Sequence, residues 1–136
     1  ESLSCHRDVS RHCGPCTNPM NTQCNLYCAQ SSDACVESSI TCQPGVACNL
    51  GCSSLYGCMG AIIQAVQAPS LIMTCSSSTG CESSTVIGGI NTDIVITCNG
   101  YENSCKDLIL EAPQGGNIII NCDGWNSCTG LTVNAY

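Results

Sequence analysis

Cysteine is the residue type with the greatest chemical potential in this sequence. The 136 residues include 16 cysteines, and Cys13-Gly14-Pro15-Cys16 has the spacing of a redox-active dithiol. Such sites depend on a helix N-terminus that lowers the pKa of the first thiol. The following residues, Thr17 to Asn21, include Pro19 and predict neither a helix nor a βαβ unit. We therefore expect Cys13 and Cys16 to be structural.

Two histidines flank the first cysteines and could complete a metal site. His6 and His12, with Cys5, Cys13 and Cys16, would supply the mixed nitrogen and sulfur ligands that zinc accepts. Zinc requires thiolates, whereas an even cysteine count in an oxidising compartment favours complete disulfide pairing. The sequence therefore predicts surface histidines beside disulfides, with no metal ion and no other cofactor.

Aromatic residues occur between paired cysteines in two successive segments, residues 98–105 and 122–128. Tyr101 and Trp125 each follow the first cysteine by three residues, so we expect their rings to stack one above the other, with Tyr56 near the same column. Exposed rings beside Asn and Asp can stack on sugars while the polar groups bond to hydroxyls. Glycan binding is one interpretation of this pair. A packing ladder or a subunit contact is the other, and we favour it.

Charge and hydropathy exclude two classes of partner. Ten acidic residues oppose three basic ones, which gives a net charge of −7. A nucleic-acid surface needs several phosphate contacts from Lys and Arg, so we expect no nucleic-acid binding. The longest apolar stretch, Ala61 to Met73, is too short and too polar to span a bilayer. The cysteine content and the start at Glu1 without a methionine predict a mature, secreted chain.

The cysteines also define an internal repeat along the whole chain. One series recurs every 23 or 24 residues, at Cys5, Cys28, Cys52, Cys75, Cys98 and Cys122. A second series follows the first after five to seven intervening residues, at Cys13, Cys35, Cys58, Cys81, Cys105 and Cys128. The sequence therefore predicts a single domain, residues 1–136, of about six coils that each contain a cysteine pair.

Two short strands are predicted in each of the later coils. Ala61, Ile63 and Ala65 alternate with more exposed types after one cysteine, and Leu71 and Met73 do so before the next. This is the period of two expected of a half-buried strand. A coil of 23 residues is too short for a crossover helix. Stacked copies would pair their backbones at about 4.8 Å and bury a continuous aliphatic column.

This arrangement resembles the right-handed parallel β-helix, an all-β solenoid with coils of similar length. The resemblance concerns architecture, because it depends on periodicity and cysteine placement. Many proteins of that fold are polysaccharide lyases or hydrolases, which use acid and base groups. Five carboxylates are available on the later coils: Asp93, Glu102, Asp107, Glu111 and Asp123. Such lyases hold acidic sugars with basic residues, whereas Lys106 is the only basic residue after Arg11. We therefore expect that the protein is not an enzyme.

Four cysteines lie outside the two series, at positions that are inward in the predicted strands: Cys16, Cys24, Cys42 and Cys48. Because the first two coils contain few aliphatic residues, disulfides there would replace apolar packing. For the two main series we favour a bridge within each coil, because it completes every unit independently. Like cysteines in stacked coils would also lie within disulfide range, so pairing between coils stays open.

One predicted strand presents an apolar stripe on its outward side. Ile72, Val95 and Ile119 occupy the same outward position in three successive coils. Solvated faces seldom repeat apolar residues so regularly, and such a stripe commonly marks a partner surface. We therefore expect a protein contact there.

The two ends of the predicted solenoid provide a second surface for association. Leu3 lies near one end, and an incomplete coil with Leu131 and Val133 lies at the other. Uncapped ends expose backbone groups that can pair with a further chain. The sequence therefore predicts a structural subunit of an extracellular filament, wall or surface layer that assembles head to tail with itself. The alternative is a secreted glycan-binding adhesin module that uses Tyr101 and Trp125.

Overall fold

Strands are the only regular secondary structure in the part of the chain that the structure describes. This computed structural model describes residues 2–4, 12–13, 23–28 and 35–136, with side chains for 25–28 and 35–136. The strands are β1 (Ser2–Ser4), β2 (His12–Cys13), β3 (Gln23–Cys28), β4 (Ser39–Thr41), β5 (Ala47–Cys52), β6 (Ile62–Ala65), β7 (Ser70–Cys75), β8 (Thr85–Gly88), β9 (Asp93–Cys98), β10 (Ile109–Ala112), β11 (Ile118–Cys122) and β12 (Thr132–Ala135). These segments contain no helix long and apolar enough to cross a membrane.

The strands form two parallel sheets of six strands each. The odd-numbered strands make one sheet in the order β1-β3-β5-β7-β9-β11, and the even-numbered strands make the other in the order β12-β10-β8-β6-β4-β2. Each coil therefore gives one strand to each sheet, and the chain makes about five turns of a β-solenoid. The register keeps equivalent residues stacked, since Cys52 pairs with Cys75 and Cys75 with Cys98. The predicted all-β solenoid is confirmed.

Inward side chains from the two sheets form a core that continues from coil to coil. Burial alternates along the strands, as in Ile62–Ala65, where the second and fourth residues are buried. One column in each sheet is at most 2% exposed through four coils: Leu26, Leu50, Met73 and Ile96 in the first, and Ile40, Ile63, Val86 and Leu110 in the second. A single coil supplies only a few of these side chains, so each depends on the coils above and below for its burial.

A corner with left-handed backbone follows the second cysteine of every described coil. The residue two positions after that cysteine has a positive φ in five coils: Glu37 at 55°, Gly60 at 69°, Ser83 at 57°, Asp107 at 56° and Gly130 at 74°. The N–H groups of the first four donate to carbonyl groups of the next coil at 2.8–2.9 Å. Backbone pairing between coils therefore continues through the corners and is not limited to the strands.

The described cysteines of the two main series pair within coils. The five bridges are Cys28–Cys35, Cys52–Cys58, Cys75–Cys81, Cys98–Cys105 and Cys122–Cys128, with Cα–Cα distances of 5.6–6.0 Å. Each bridge joins the end of a strand in the first sheet to the start of the following corner. Of the two connectivities that the sequence allows, the structure adopts the favoured one. Cys5 and the side chain of Cys13 lie outside the described residues.

One further disulfide lies in the core of the coil that begins at Cys28. Cys42 and Cys48 are bonded, with exposures of 2% and 0%. Cys48 pairs in register with Leu71, which in turn pairs with Ile94, so the bridge occupies a place that aliphatic side chains fill in later coils. This confirms that a disulfide replaces apolar packing there. Cys16 and the side chain of Cys24, which are the other two cysteines outside the main series, are not among the described residues.

The last coil is covered on one side only, and its inward side chains are partly exposed. Val133 is 41% exposed although its register partner, Leu110, is fully buried. Ile118 is 37% exposed, whereas its partner Ile94 is 1% exposed. Strands β11 and β12 are the edges of the two sheets at this end. The structure thus leaves one end of the aliphatic column uncovered.

Candidate functional site

Disulfide formation removes thiol chemistry from the described cysteines, none of which is free. The Sγ atoms of Cys52, Cys75 and Cys81 lie within 4.8 Å of one another, which is close enough to share a metal ion. All three are oxidised, in the bridges Cys52–Cys58 and Cys75–Cys81, and therefore offer no thiolate ligand. The side chains first considered for zinc or dithiol chemistry lie outside the described residues: Cys5, His6, His12, Cys13 and Cys16.

The five carboxylates considered as acid and base are spread over several elements. Asp93 begins β9 and accepts a hydrogen bond from the Asn117 N–H at 2.9 Å. Glu111 lies in β10 of the other sheet, where it accepts from the Tyr136 hydroxyl at 2.6 Å and from the Asn134 amide at 2.8 Å. The remaining three lie in disulfide loops or at a corner: Glu102, Asp123 and Asp107. The structure therefore does not bring the five together.

The hydrogen bonds at Glu111 shift two pKa values in opposite directions. The bond from Tyr136, followed by the bond from Asn134, lowers the pKa of the Glu111 carboxyl below its ordinary value. The same contact, together with the nearby negative charge, raises the pKa of the Tyr136 hydroxyl. A general acid needs a raised carboxyl pKa, so this group is tuned in the wrong direction for that role. It instead ties β12 to β10.

Two stacked disulfide loops form an open cleft on the described surface. Residues 98–105 and 122–128 make the loops, and each is closed by its own disulfide. A Cβ at Gly100 would collide with the carbonyl oxygen of Ser77, and a Cβ at Gly124 would collide with that of Gly100. Gly124 also has a φ of 106°, which favours glycine. Glycine at both positions therefore allows the loops to stack closely.

Tyr101 and Trp125 lie in this cleft, but the predicted stacking of one directly above the other is wrong. Trp125 forms a parallel β-bridge with Glu102, and the backbone N–H of Trp125 donates a hydrogen bond to the backbone carbonyl of Tyr101 at 3.3 Å. The offset arises because Cys98 and Cys105 are 7 residues apart, whereas Cys122 and Cys128 are 6 apart. The extra residue shifts Tyr101 by one position, so that Tyr101 and Trp125 are not register partners although both line the cleft.

The cleft is open, acidic and rich in exposed aromatic surface. It has a volume of about 480 Å³ and is lined by Asn99, Gly100, Tyr101, Glu102, Asp123, Gly124 and Trp125. Tyr101 is 83% exposed and Trp125 69%. Lys106 is the only basic residue whose side chain the structure describes, and its Nζ lies 3.9 Å from Glu82 rather than in the cleft. Tyr56 is exposed in an earlier loop and is not part of the lining.

The outward stripe of the first sheet is in register, as its spacing predicted. Ile72 pairs with Val95 and Val95 with Ile119. Ile72 and Ile119 are 44% and 52% exposed, and Val95 is half-buried between them. In the two preceding coils the same position holds Asn25 and Asn49, whose side-chain amides are hydrogen-bonded at 3.1 Å. The apolar stripe is therefore confined to the coils nearest the uncovered end.

A second groove, which the sequence did not indicate, lies beside this stripe. Tyr27 pairs in register with Gly51, and a Cβ at Gly51 would lie 3.2 Å from the tyrosine ring. The absence of a side chain at Gly51 therefore leaves room for the ring. The groove encloses about 360 Å³ and also includes Asn49 and Ile72 in its lining. Only the cross-coil register, which aligns the glycine with the tyrosine, could have revealed this pairing.

These features define a class of protein, the disulfide-stapled parallel β-solenoid. No protein-family model, curated protein or solved structure is found to match the chain. The likeness to β-helix proteins is consequently one of architecture, and architecture alone does not identify a function.

Proposed function

We propose that the protein is a structural subunit of an extracellular filament, wall or surface layer in which copies join end to end. The observation that carries this proposal is the uncovered end of the aliphatic column, where Val133 and Ile118 are 41% and 37% exposed. The equivalent side chains of the earlier described coils are buried. A further pair of strands in the same register would cover both residues, and a second copy presents the edge strands β1 and β2 at its opposite end.

The backbone at the two ends is suited to this joint. Strands β11 and β12 are the sheet edges at one end, and β1 and β2 are the edges at the other. Edge strands present unpaired N–H and C=O groups that accept a further strand. Pairing of β1 with β11 and of β2 with β12 of the neighbouring copy would extend both sheets. Such a heterologous contact does not close, so it generates a filament.

The dimensions of the solenoid give the repeat of this filament. Each sheet contains six strands, and stacked strands are about 4.8 Å apart, so each subunit would advance the axis by roughly 29 Å. The disulfides support the extracellular setting, because bridges persist in oxidising compartments. The stripe of Ile72, Val95 and Ile119 offers a separate lateral surface by which filaments could associate side by side.

A pair of matched valine variants tests the end-to-end joint. Val133→Lys places a charge at the centre of the uncovered end, whereas Val66→Lys places the same charge at a corner residue that is already 52% exposed. We expect the unmodified protein and Val66→Lys to form filaments with an axial repeat near the subunit advance. Val133→Lys should stay monomeric. Electron microscopy and light scattering over a range of protein concentrations provide the measurement.

Two results would contradict the proposal. The first is an unmodified protein that stays monomeric at every concentration, and the second is a Val133→Lys variant that assembles as well as Val66→Lys. The lateral surface is tested separately by Val95→Lys, which should abolish side-by-side bundling while leaving single filaments intact. Ile90→Lys is its control, because Ile90 is 75% exposed and lies outside the stripe.

A further inference from the structure

Two large aromatic side chains of the cleft remain solvated in a region that is otherwise rigidly built. Tyr101 and Trp125 are 83% and 69% exposed, and packing therefore accounts for little of their surface. The two residues are also offset by one position in the register, so their side chains do not occupy equivalent places in the stacked loops. The loops that carry them are held by disulfides and by backbone hydrogen bonds, including Asp123 N–H to the Cys98 carbonyl at 2.8 Å. The rings are thus presented on a fixed platform.

We propose that this cleft binds a neutral oligosaccharide, with Tyr101 and Trp125 as stacking surfaces. A sugar ring has an apolar face of C–H groups and a rim of hydroxyls. The aromatic rings of the cleft can stack on the apolar face. The carboxylates of Glu102 and Asp123 and the amide oxygen of Asn99 can accept hydrogen bonds from the hydroxyls. The cleft is formed by loops and not by the edge strands β11 and β12, although the loop of residues 122–128 belongs to the last coil.

Charge and shape narrow the class of sugar. Because the lining includes two carboxylates and no Lys or Arg, a uronic acid or a sulfated sugar would be repelled. An organic cation would be attracted by the same carboxylates. Protein sites that bind such cations through aromatic residues, however, surround the cation with several rings. Here the cleft is open, and its two aromatic residues lie on neighbouring loops instead of surrounding a ligand. An extended chain of neutral sugar units fits an open platform of this kind.

The chain provides a specific reporter for this site, because Trp125 is its only tryptophan. Titration with the hexamers of β-linked glucose and of β-linked N-acetylglucosamine should shift or quench the fluorescence of Trp125 in a saturable way. Calorimetry on the same samples gives the affinity without depending on the reporter. Polygalacturonate is the anionic probe and should have no effect.

Two tyrosine variants locate the binding. Tyr101→Ala retains the reporter and should weaken the affinity by about two- to tenfold, the loss expected for one aromatic contact. Tyr56→Ala removes an exposed tyrosine from a loop outside the cleft and should leave the affinity unchanged. Trp125→Ala, followed by calorimetry, should weaken binding at least as much as Tyr101→Ala. Circular dichroism would verify that each variant keeps the strand content of the unmodified protein.

Three outcomes would overturn the proposal. One is the absence of both fluorescence change and heat with either neutral hexamer at millimolar concentration. Another is an equal loss of affinity in Tyr56→Ala and Tyr101→Ala, which would place the binding elsewhere. The third is a response to hexalysine in the absence of any response to the neutral sugars, which would make the cleft a site for cations.

Discussion

Substitution of Val86 and of Val133 by alanine compares a covered and an uncovered position of the same column. Both valines lie five residues after the second cysteine of their coil. Val86 has register partners on both sides, Ile63 and Leu110, and is fully buried. Val133 has Leu110 on one side only and is 41% exposed. The two variants therefore delete the same atoms from sites that differ in coverage.

The expected magnitudes follow from this difference. Each substitution removes two carbon atoms, worth about 1.6 kcal/mol when fully buried, at about 0.8 kcal/mol per group. At Val86 the surrounding coils would leave a closed cavity, which raises the total cost to about 2–3 kcal/mol. At Val133 the transfer contribution is reduced to about 1 kcal/mol by its exposure, and water can enter the vacated space. We therefore expect a difference of about 1–2 kcal/mol.

Urea unfolding with the disulfides intact measures both effects. Circular dichroism would follow the loss of strand structure, at a protein concentration where light scattering shows only monomer. The comparison is valid if the two variants have the same dependence of unfolding free energy on urea. Equal destabilisation by Val86→Ala and Val133→Ala would refute the reasoning, because it would mean that the end of the column is covered in the monomer.

Three further predictions concern a corner, a pH-dependent contact and a disulfide. Ser83→Gly should stabilise the protein by about 0.5–1 kcal/mol in urea unfolding. Glycine removes a left-handed backbone cost of about 1–2 kcal/mol, and part of that gain is lost to the greater entropy of the unfolded chain. Ser53→Gly is the control, because Ser53 has no positive φ, and it should give no such gain. The contact between Glu111 and Tyr136 should stabilise the docking of β12 within a window of pH. The contribution of the Glu111 carboxylate is present above pH 4.5 and is lost as the pH falls through its lowered pKa. The contribution of the Tyr136 hydroxyl is present below pH 10.0 and is lost as the pH rises through its raised pKa. Carbon-detected NMR would measure both titrations, and a Glu111 pKa at or above 4.5 would count against the contact. Among the six described disulfides, Cys122–Cys128 should be the first that a small thiol reduces. The reason is that Cys122 is exposed, whereas the cysteines of the other five bridges are buried. Mass spectrometry after limited reduction and alkylation measures the order of reduction, and a different first site would show that this prediction is wrong.

The coil, the strands and the inward positions could be predicted because the cysteine spacing sets a common frame for every repeat. Once Cys52, Cys75 and Cys98 are aligned, the alternation of residues such as Ile63 and Leu71 determines which side chains enter the core. Each of these predictions depends on a periodic signal that the sequence carries in several copies.

The corners and the aromatic cleft could not be predicted in the same way. Three of the five left-handed corner positions hold Glu37, Ser83 and Asp107, and of these residue types only Asp is enriched at positive φ. They adopt it because the coils above and below determine the backbone path. The relation of Tyr101 to Trp125 depends on a single extra residue in one loop, and counting from the first cysteine hides its effect on the register.

The short loops closed by the disulfides have a mechanical consequence. Cys52 and Cys58 are 6 residues apart in sequence and 5.7 Å apart between Cα atoms. A force pulling on the chain passes through the sulfur–sulfur bond, so the enclosed residues bear no tension while that bond is intact. Extended, they would span about 20 Å, and reduction would therefore release about 15 Å of slack at each such bridge. Under load, the solenoid would thus keep extra chain length behind each of the five described bridges within coils. The redox potential of its surroundings would determine how far it stretches before it breaks.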